Sequence, residues 1–436
     1  MTIFDLPFWL ASIFVFVLGA VAGSFLNVCI YRIPQHLHLW PALKGLYSPP
    51  STCPRCRNRI AWHDNIPIFG WLMLRGRCRT CRMWISPRYP GVELLNALLF
   101  LGLYWCEIPN GWPVAISESS VFAENGPQTV PGLGPLMPLT FLHLRYLYHL
   151  VLVESLLVAS FIDFDRREIP DASTLPAMAI GLLGGLLLSR VHILPLWSQN
   201  SQQVFTFTRL FWPDWRVDQW PNVPPWFSAW PHLHGVLVSI VGLLVGGGVT
   251  WGVRLLGYWV LRREAMGFGD VVLMAVIGSF LGWQPALLAF VLAPAFALLA
   301  LPIQLVFHRD RYIPYGPYLS LGALTVLAAF RPLWSGFGGW GGAGMVFELG
   351  PLVPVLMAFM AVLFLVTLLF VQGVKRVLGI GDYDDELVPQ WTAADQSHYQ
   401  AGERADEEFG LWRRPEWSGE RSGRGTLHYQ RWRRGS

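Results

Sequence analysis

Long apolar stretches alternate with polar or Gly/Pro-rich segments along this chain. The apolar stretches lie near 8–30, 91–106, 141–164, 172–189, 234–260, 270–282, 284–306, 317–330 and 351–374. A bilayer core of ~30 Å needs about 20 apolar residues in a helix. The longer stretches therefore predict membrane spans, and the second, sixth and eighth are short for the task. In lipid, each segment must satisfy its own backbone polar groups, which makes these spans helices. The pattern predicts an all-α polytopic membrane protein of about nine transmembrane helices. Composition agrees: 53% of residues are hydrophobic and 14% charged, against roughly 25% charged in soluble domains. Residues 8–30 are long enough to span and lack a small-residue cleavage site, so they read as a helix rather than a removable signal.

The formal net charge is only +4, but its distribution sets an orientation. From Arg32 through Arg88 there are nine Arg and one Lys, and Asp64 is the only acid. Basic loops stay cytoplasmic. Alternating from there, Arg166-Arg167, Arg262-Arg263, Arg309 with Arg311, and the tail after Lys375 all fall inside. The loops at 107–140 and 190–233 fall outside, and the first has no Lys or Arg. One assignment satisfies every loop. The second outer loop carries Trp197, Trp212, Trp215, Trp220, Trp226 and Trp230, which suits a membrane–water interface. No nucleic-acid partner is expected; lipid is.

Between the first two spans lies a soluble insert, 31–90. It holds Cys53-Pro54-Arg55-Cys56 and Cys78-Arg79-Thr80-Cys81. Two Cys-x-x-Cys turns, each offering two thiolates, match a closed tetrahedral Cys₄ zinc site. A closed site is structural, so the insert is expected to be a small zinc-ribbon-like lobe. In a reducing cytoplasm, disulfides are not expected. Cys29 and Cys106 read as packing residues. His63 and Asp64, between the knuckles, are expected to support the fold or touch a ligand.

Two carboxylates border apolar segments. Asp163 lies near the end of the third span, in Phe161-Ile162-Asp163-Phe164-Asp165-Arg166-Arg167, before Ile169-Pro170-Asp171. Asp270 opens the sixth span after Glu264-Ala265-Met266-Gly267-Phe268-Gly269. A carboxylate beside an apolar run is costly unless paired or used. Asp163 and Asp165, two apart on a helix, point in nearly opposite directions. Asp163 is the deeper one, and Asp165 is expected to pair near Arg166 in solvent. Asp171 is expected to cap the next helix, and Asn27 to bond a neighbouring helix. The orientation puts Asp163 and Asp270 on one face of the membrane. They meet only if the third and sixth spans pack together. A meeting pair would share a proton, as in aspartic proteases. A second Gly-x-Gly-Asp, Gly379-Ile380-Gly381-Asp382, leads into no apolar segment and reads as a chance copy.

These motifs together resemble the bacterial prepilin peptidases, the type IV leader peptidase and N-methyltransferase family. The resemblance is carried by Gly23-Ser24-Phe25-Leu26-Asn27-Val28 and by the paired Cys knuckles with Asn65-Ile66-Pro67. It continues in Arg88-Tyr89-Pro90 with Val92-Glu93-Leu94, then in Asp163 with Ile169-Pro170-Asp171. Glu264 through Asp270 and Ile313-Pro314-Tyr315-Gly316-Pro317 complete it. The resemblance implies a bacterial inner-membrane aspartic peptidase of the Gly-x-Gly-Asp type. It implies Asp163 and Asp270 as the catalytic pair, and Cys53, Cys56, Cys78 and Cys81 as a zinc lobe. The implied reaction removes the basic leader of prepilins or pseudopilins on the cytoplasmic side. The implied second step methylates the new N-terminus with S-adenosylmethionine, although no glycine-rich fingerprint for that cofactor is present. Val272 stands where the family often has Lys. The alternatives are a peptidase without methylation and a non-catalytic zinc scaffold for secretion or pilus assembly.

The expected organisation is a first transmembrane helix at 1–30 and a cytoplasmic Cys₄ lobe at 31–90. A peptidase core at 91–330, a Gly-rich loop with a further helix at 331–374 and a polar tail at 375–436 follow. The tail's composition is that of a disordered segment.

Overall fold

The computed structural model describes residues 7–36, 38–47, 50–53, 56–108, 129–130, 134–135, 138–188, 191–197, 199–200, 203–206, 209, 224–261, 266–307, 314–336, 342–350 and 352–377. Each of the nine apolar stretches coincides with a helix. These are α1 (Phe8–Arg32), α4 (Arg88–Glu107), α5 (Pro138–Arg166), α6 (Asp171–Leu187), α8 (Pro231–Leu261), α9 (Phe268–Leu281), α10 (Trp283–Phe307), α11 (Gly316–Ser335) and α13 (Leu352–Val377). Short helices lie between them: α2 (Leu39–Tyr47), α3 (Phe69–Met73), α7 (Trp226–Ala229) and α12 (Gly344–Phe347). Five helices are long and apolar enough to cross a membrane: those covering Phe8–Gln35, Phe141–Arg166, Pro231–Val260, Trp283–Pro302 and Leu352–Val374. Strand structure among the described residues is one antiparallel pair, β1 (Thr129–Val130) with β2 (Gly134–Pro135), and three isolated bridges.

The chain divides into two compact units. The larger comprises Met1–Trp251 with Gly269–Met357, and the smaller Gly252–Phe268 with Ala358–Ser436. Helix α9 forms the centre of the larger unit. From Asp270 to Leu281 every residue but Val272 is buried. Such enclosure needs close approach, and small residues supply it. A Cβ on Gly242 would collide with the Gly278 carbonyl oxygen, and one on Gly278 with that of Gly242. On another side of α9, a Cβ on Gly181 of α6 would collide with Ser279 Oγ. Helix α1 lies against α4 in the same way. There a Cβ on Gly19 would strike Phe100 and one on Gly23 would strike the Glu93 backbone, each at 2.8 Å. Helix α11 packs on α10 and α5, with Gly322 against the Ala289 carbonyl.

Within the Gly-rich stretch 332–350, residues 332–336 and 342–350 are described. Helix α11 continues through Pro332 to Ser335, and Trp334 stacks on Phe347 of α12 with centroids 5.6 Å apart. Gly342 and Gly344 admit Trp334 to their backbones. The glycines here allow packing, which wins over their freedom in an unfolded chain. In the smaller unit, α13 leaves Phe359, Met360, Val362, Leu363 and Phe370 exposed, as a lipid-facing helix does. The tail after Val377, with Gly379-Ile380-Gly381-Asp382, lies outside the described residues.

One polar group lies deep in the bundle. His149 Nδ1 is 2.6 Å from Glu107 Oε1, with side chains 0% and 1% exposed. Arg145, also buried, feels the Glu107 charge. Removing one partner of a buried pair strands the other, at a cost of about 3–5 kcal/mol. We expect His149→Leu to lower the unfolding free energy by about that amount in detergent. Adding Glu107→Leu is not expected to recover the loss, because the buried Arg145 charge then lacks its acidic neighbour.

Candidate active site and metal centre

The lobe is built on a repeated turn. Arg57 N–H donates to the Cys53 carbonyl at 2.8 Å, and Arg82 N–H to that of Cys78 at 3.0 Å. Cys53 N–H donates to the Asn58 carbonyl, and Cys78 N–H to that of Met83. Bridges Thr52 to Arg59 and Arg77 to Trp84 close the two turns. Arg57 and Arg82 both take left-handed φ, 57° and 59°. Each turn points two thiols inward, and the four Sγ atoms of Cys53, Cys56, Cys78 and Cys81 lie within 4.8 Å of one another. Cys53 and Cys81 Sγ are 3.7 Å apart. With Zn–S near 2.3 Å, the edge of a tetrahedron is about 3.8 Å, so the thiols fit a tetrahedral ion.

Asp64 supports this fold. Its carboxylate takes both prongs of the Arg79 guanidinium. That hydrogen-bonded cation holds the Asp64 carboxyl below the usual range. The contribution to lobe stability is therefore present above about pH 4, and is lost as pH falls through the lowered pKa. The lobe also touches the bundle. Ile68 adopts φ 63°, ψ −54°, an outlying conformation for a β-branched residue. Its N–H donates to Glu93 Oε2 on α4 at 2.6 Å. Asn27 Nδ2 donates to the Tyr89 carbonyl at 3.1 Å, the helix-to-helix bond expected of it.

At the end of α5, Asp163 is 6% exposed. Its carbonyl accepts from Arg167 N–H at 2.8 Å, closing the helix with Arg167 at φ 59°. Its side chain turns inward, and Oδ2 accepts from Gly316 N–H at 3.0 Å. A Cβ on Gly316 would lie 2.7 Å from that same oxygen and 3.1 Å from Ile169 Cδ1. Ile169 also packs on Gly269, where a Cβ would meet Ile169 Cβ at 2.9 Å. Next to Gly269 is Asp270, 7% exposed. Tyr315, next to Gly316, is pushed up to about 12 by burial and by the Asp270 charge. The end of α5 and the starts of α9 and α11 therefore converge on Ile169 and Gly316. Asp163 and Asp270 are set into that junction.

Two expectations need correction. Asp165 pairs with Arg88 rather than beside Arg166, through bonds of 2.8 and 2.6 Å. Arg166 instead donates to the Pro34 carbonyl. Asp171 does not cap α6. Pro170 holds that position without a side-chain bond, and Asp171 is the first helical residue, where its charge favours the helix dipole. Glu264, Ala265 and Ile313 lie outside the described residues. Sequence reasoning passed over Asn96 and Glu154, and saw Glu93 only as part of a motif. An acid within an apolar run was the available signal. Asn96 Nδ2 bonds both Glu154 Oε1 at 2.8 Å and the Gly19 carbonyl at 2.9 Å.

A helical membrane bundle that buries two aspartates near one junction of helix ends, and carries a four-cysteine cluster, defines a class: helical membrane proteins with buried acidic side chains and a thiol cluster. The comparisons make it specific. The Bacterial Peptidase A24 N-terminal domain matches residues 17–106, and the Type IV leader peptidase family matches 222–303. A prepilin leader peptidase/N-methyltransferase of Aeromonas hydrophila is 31% identical over 73% of this chain and 91% of that protein. A type 4 prepilin-like proteins leader peptide-processing enzyme of Escherichia coli O78:H11 is 31% identical over 71% and 90%. One from Myxococcus xanthus, a prepilin leader peptidase/N-methyltransferase, is 32% identical over 64% of this chain and 58% of that protein. The chain belongs to the type IV leader peptidase family. No solved structure matches it.

Metal analysis of the purified chain is expected to give about one zinc per molecule. Cys81→Ser is expected to lower that content severalfold and expose the lobe to protease. A fully metal-free wild type that keeps a protease-resistant lobe would contradict the assignment.

Proposed function

We propose that this chain is a membrane aspartic endopeptidase that removes the basic leader of type IV prepilins or pseudopilins and N-methylates the new amino terminus. The observation that carries the reading is the junction of Asp163, Ile169, Gly269, Asp270 and Gly316. In this reading Asp163 and Asp270 are the catalytic pair. Like charges held close cannot both ionise easily, so the pair shares a proton. The ionised carboxylate takes a proton from water as the water oxygen attacks the scissile carbonyl carbon. The protonated carboxyl donates to the carbonyl oxygen. The tetrahedral intermediate collapses as the first group returns its proton to the leaving amine.

The proposal includes nine spans in a bacterial inner membrane, with the lobe, the aspartates and the tail cytoplasmic, as the Arg distribution supports. Cys53, Cys56, Cys78 and Cys81 would hold Zn²⁺, whose chemistry there is structural: it ties two turns that have little core of their own. The basic residues around the lobe are suited to lipid headgroups. S-adenosylmethionine would supply the methyl group.

Asp163→Asn and Asp270→Asn are each expected to lower leader cleavage by about 10²- to 10⁴-fold while the protein still inserts. Gly316→Ala, which crowds Asp163 Oδ2, is expected to cost about 10- to 100-fold. Co-expression with a candidate prepilin and mass analysis of the product reads both cleavage and the added methyl. Normal processing by both Asn variants would overturn the assignment.

A further inference from the structure

Beside the lobe, the seam of α1, α4 and α5 contains a cluster made almost wholly of hydrogen-bond acceptors. Glu93 is 9% exposed and Asn96 is fully buried, one helical turn apart on α4. Glu154 on α5 is hydrogen-bonded to Asn96. Glu93 takes Ile68 N–H, and the Ser24 side chain approaches the same carboxylate. Among the described residues, no Lys, Arg or His forms an ion pair with Glu93 or Glu154. The two donors of Asn96 are committed to Gly19 and Glu154, which fixes the amide, and its Oδ1 is left buried without a partner. Such an acceptor costs about 1–3 kcal/mol unless something donates to it. Acids inside a membrane bundle are likewise expensive without a counter-charge. What would satisfy all three side chains is a compact cation with several N–H donors, which is a primary ammonium group.

We propose that Glu93, Asn96 and Glu154 form a binding site for a primary ammonium group, the free α-amine of the processed substrate chain. The identity of the amine rests on the peptidase reading above; the chemistry of the site does not. Glu154 lies nine residues before Asp163 on α5, about 13 Å along the helix axis. A chain cut at the aspartates would carry its new amino terminus over that distance, about four extended residues, to reach Glu154. The backbone supports the assignment. Ile68 is held in an unfavourable conformation against Glu93, at a cost of about 1–3 kcal/mol, and such residues cluster at ligand sites. Carboxylates and an amide oxygen attract the charged amine and offer nothing to an acetylated one, whose single N–H carries no charge.

The test uses the full chain in detergent and a synthetic peptide that starts at the processed end of a pilin, with its amine either free or acetylated. Binding is read by fluorescence anisotropy. The wild type is expected to prefer the free amine by about tenfold or more, equivalent to about 1.4 kcal/mol. Glu154→Gln and Glu93→Gln keep the size and one acceptor oxygen while removing the charge, and each is expected to shrink that preference to about threefold or less. Zinc content and a monodisperse elution profile show that each variant is folded. Equal binding of the two peptides by the wild type would overturn the site, as would an undiminished preference in folded Glu154→Gln. Because the peptide is already processed, failure of the wild type to cleave a prepilin would sink the peptidase reading and leave this comparison to be decided separately.

Discussion

Backbone-to-backbone contact across glycine is the constraint on which the larger unit depends. Lipid gives no hydrophobic drive for one apolar helix to leave it for another, so association relies on close packing. Gly242 and Gly278 let α8 and α9 approach until the place of a side chain is filled by a carbonyl. Gly181 brings α6 onto the same helix. Enclosing α9 in this way is what puts Asp270 out of water. The same device recurs at the candidate centre, where Gly269 and Gly316 admit Ile169 from both sides. Position and chemistry are thus set by the residues that have no side chain.

The polar side chains follow from that frame. Asp163 ends a helix, and its carboxylate is fixed by an N–H that a neighbouring helix start leaves unused in its own first turn. Asp165, two residues on, faces the opposite way and is taken by Arg88, whose guanidinium also lies over Phe161, 5.1 Å from the ring centre. One short segment therefore separates a buried carboxylate from a paired surface one by the pitch of a helix alone.

Much of this was legible beforehand, unevenly. Apolar run length marked every helix that bears a site residue, because lipid forces apolar runs into helices. The Cys-x-x-Cys spacing identified the thiol cluster, since each pair occupies a single turn. Facing directions were harder. The sequence of α5 said that only one of Asp163 and Asp165 could be buried, but not that Arg88, 77 residues away, would claim the other. Pro170 and Asp171 show the limit of local rules: the residue expected to cap the helix became its first member. Ile169 was visible only as part of a motif. Its role depends on two glycines brought to it by tertiary packing. Asn96 and Glu154 escaped notice, and Glu93 stood only inside a motif, because their meaning lies in what they lack, and a missing partner is defined only in three dimensions.

The two turns of the lobe carry a kinetic consequence. Residues 52–59 and 77–84 repeat the same bonds at matching places, including the left-handed Arg57 and Arg82. Each half offers two thiols set by local sequence. In the proposed zinc site either half would take the ion first and the second would close over it, so assembly of that site would have two similar entrances.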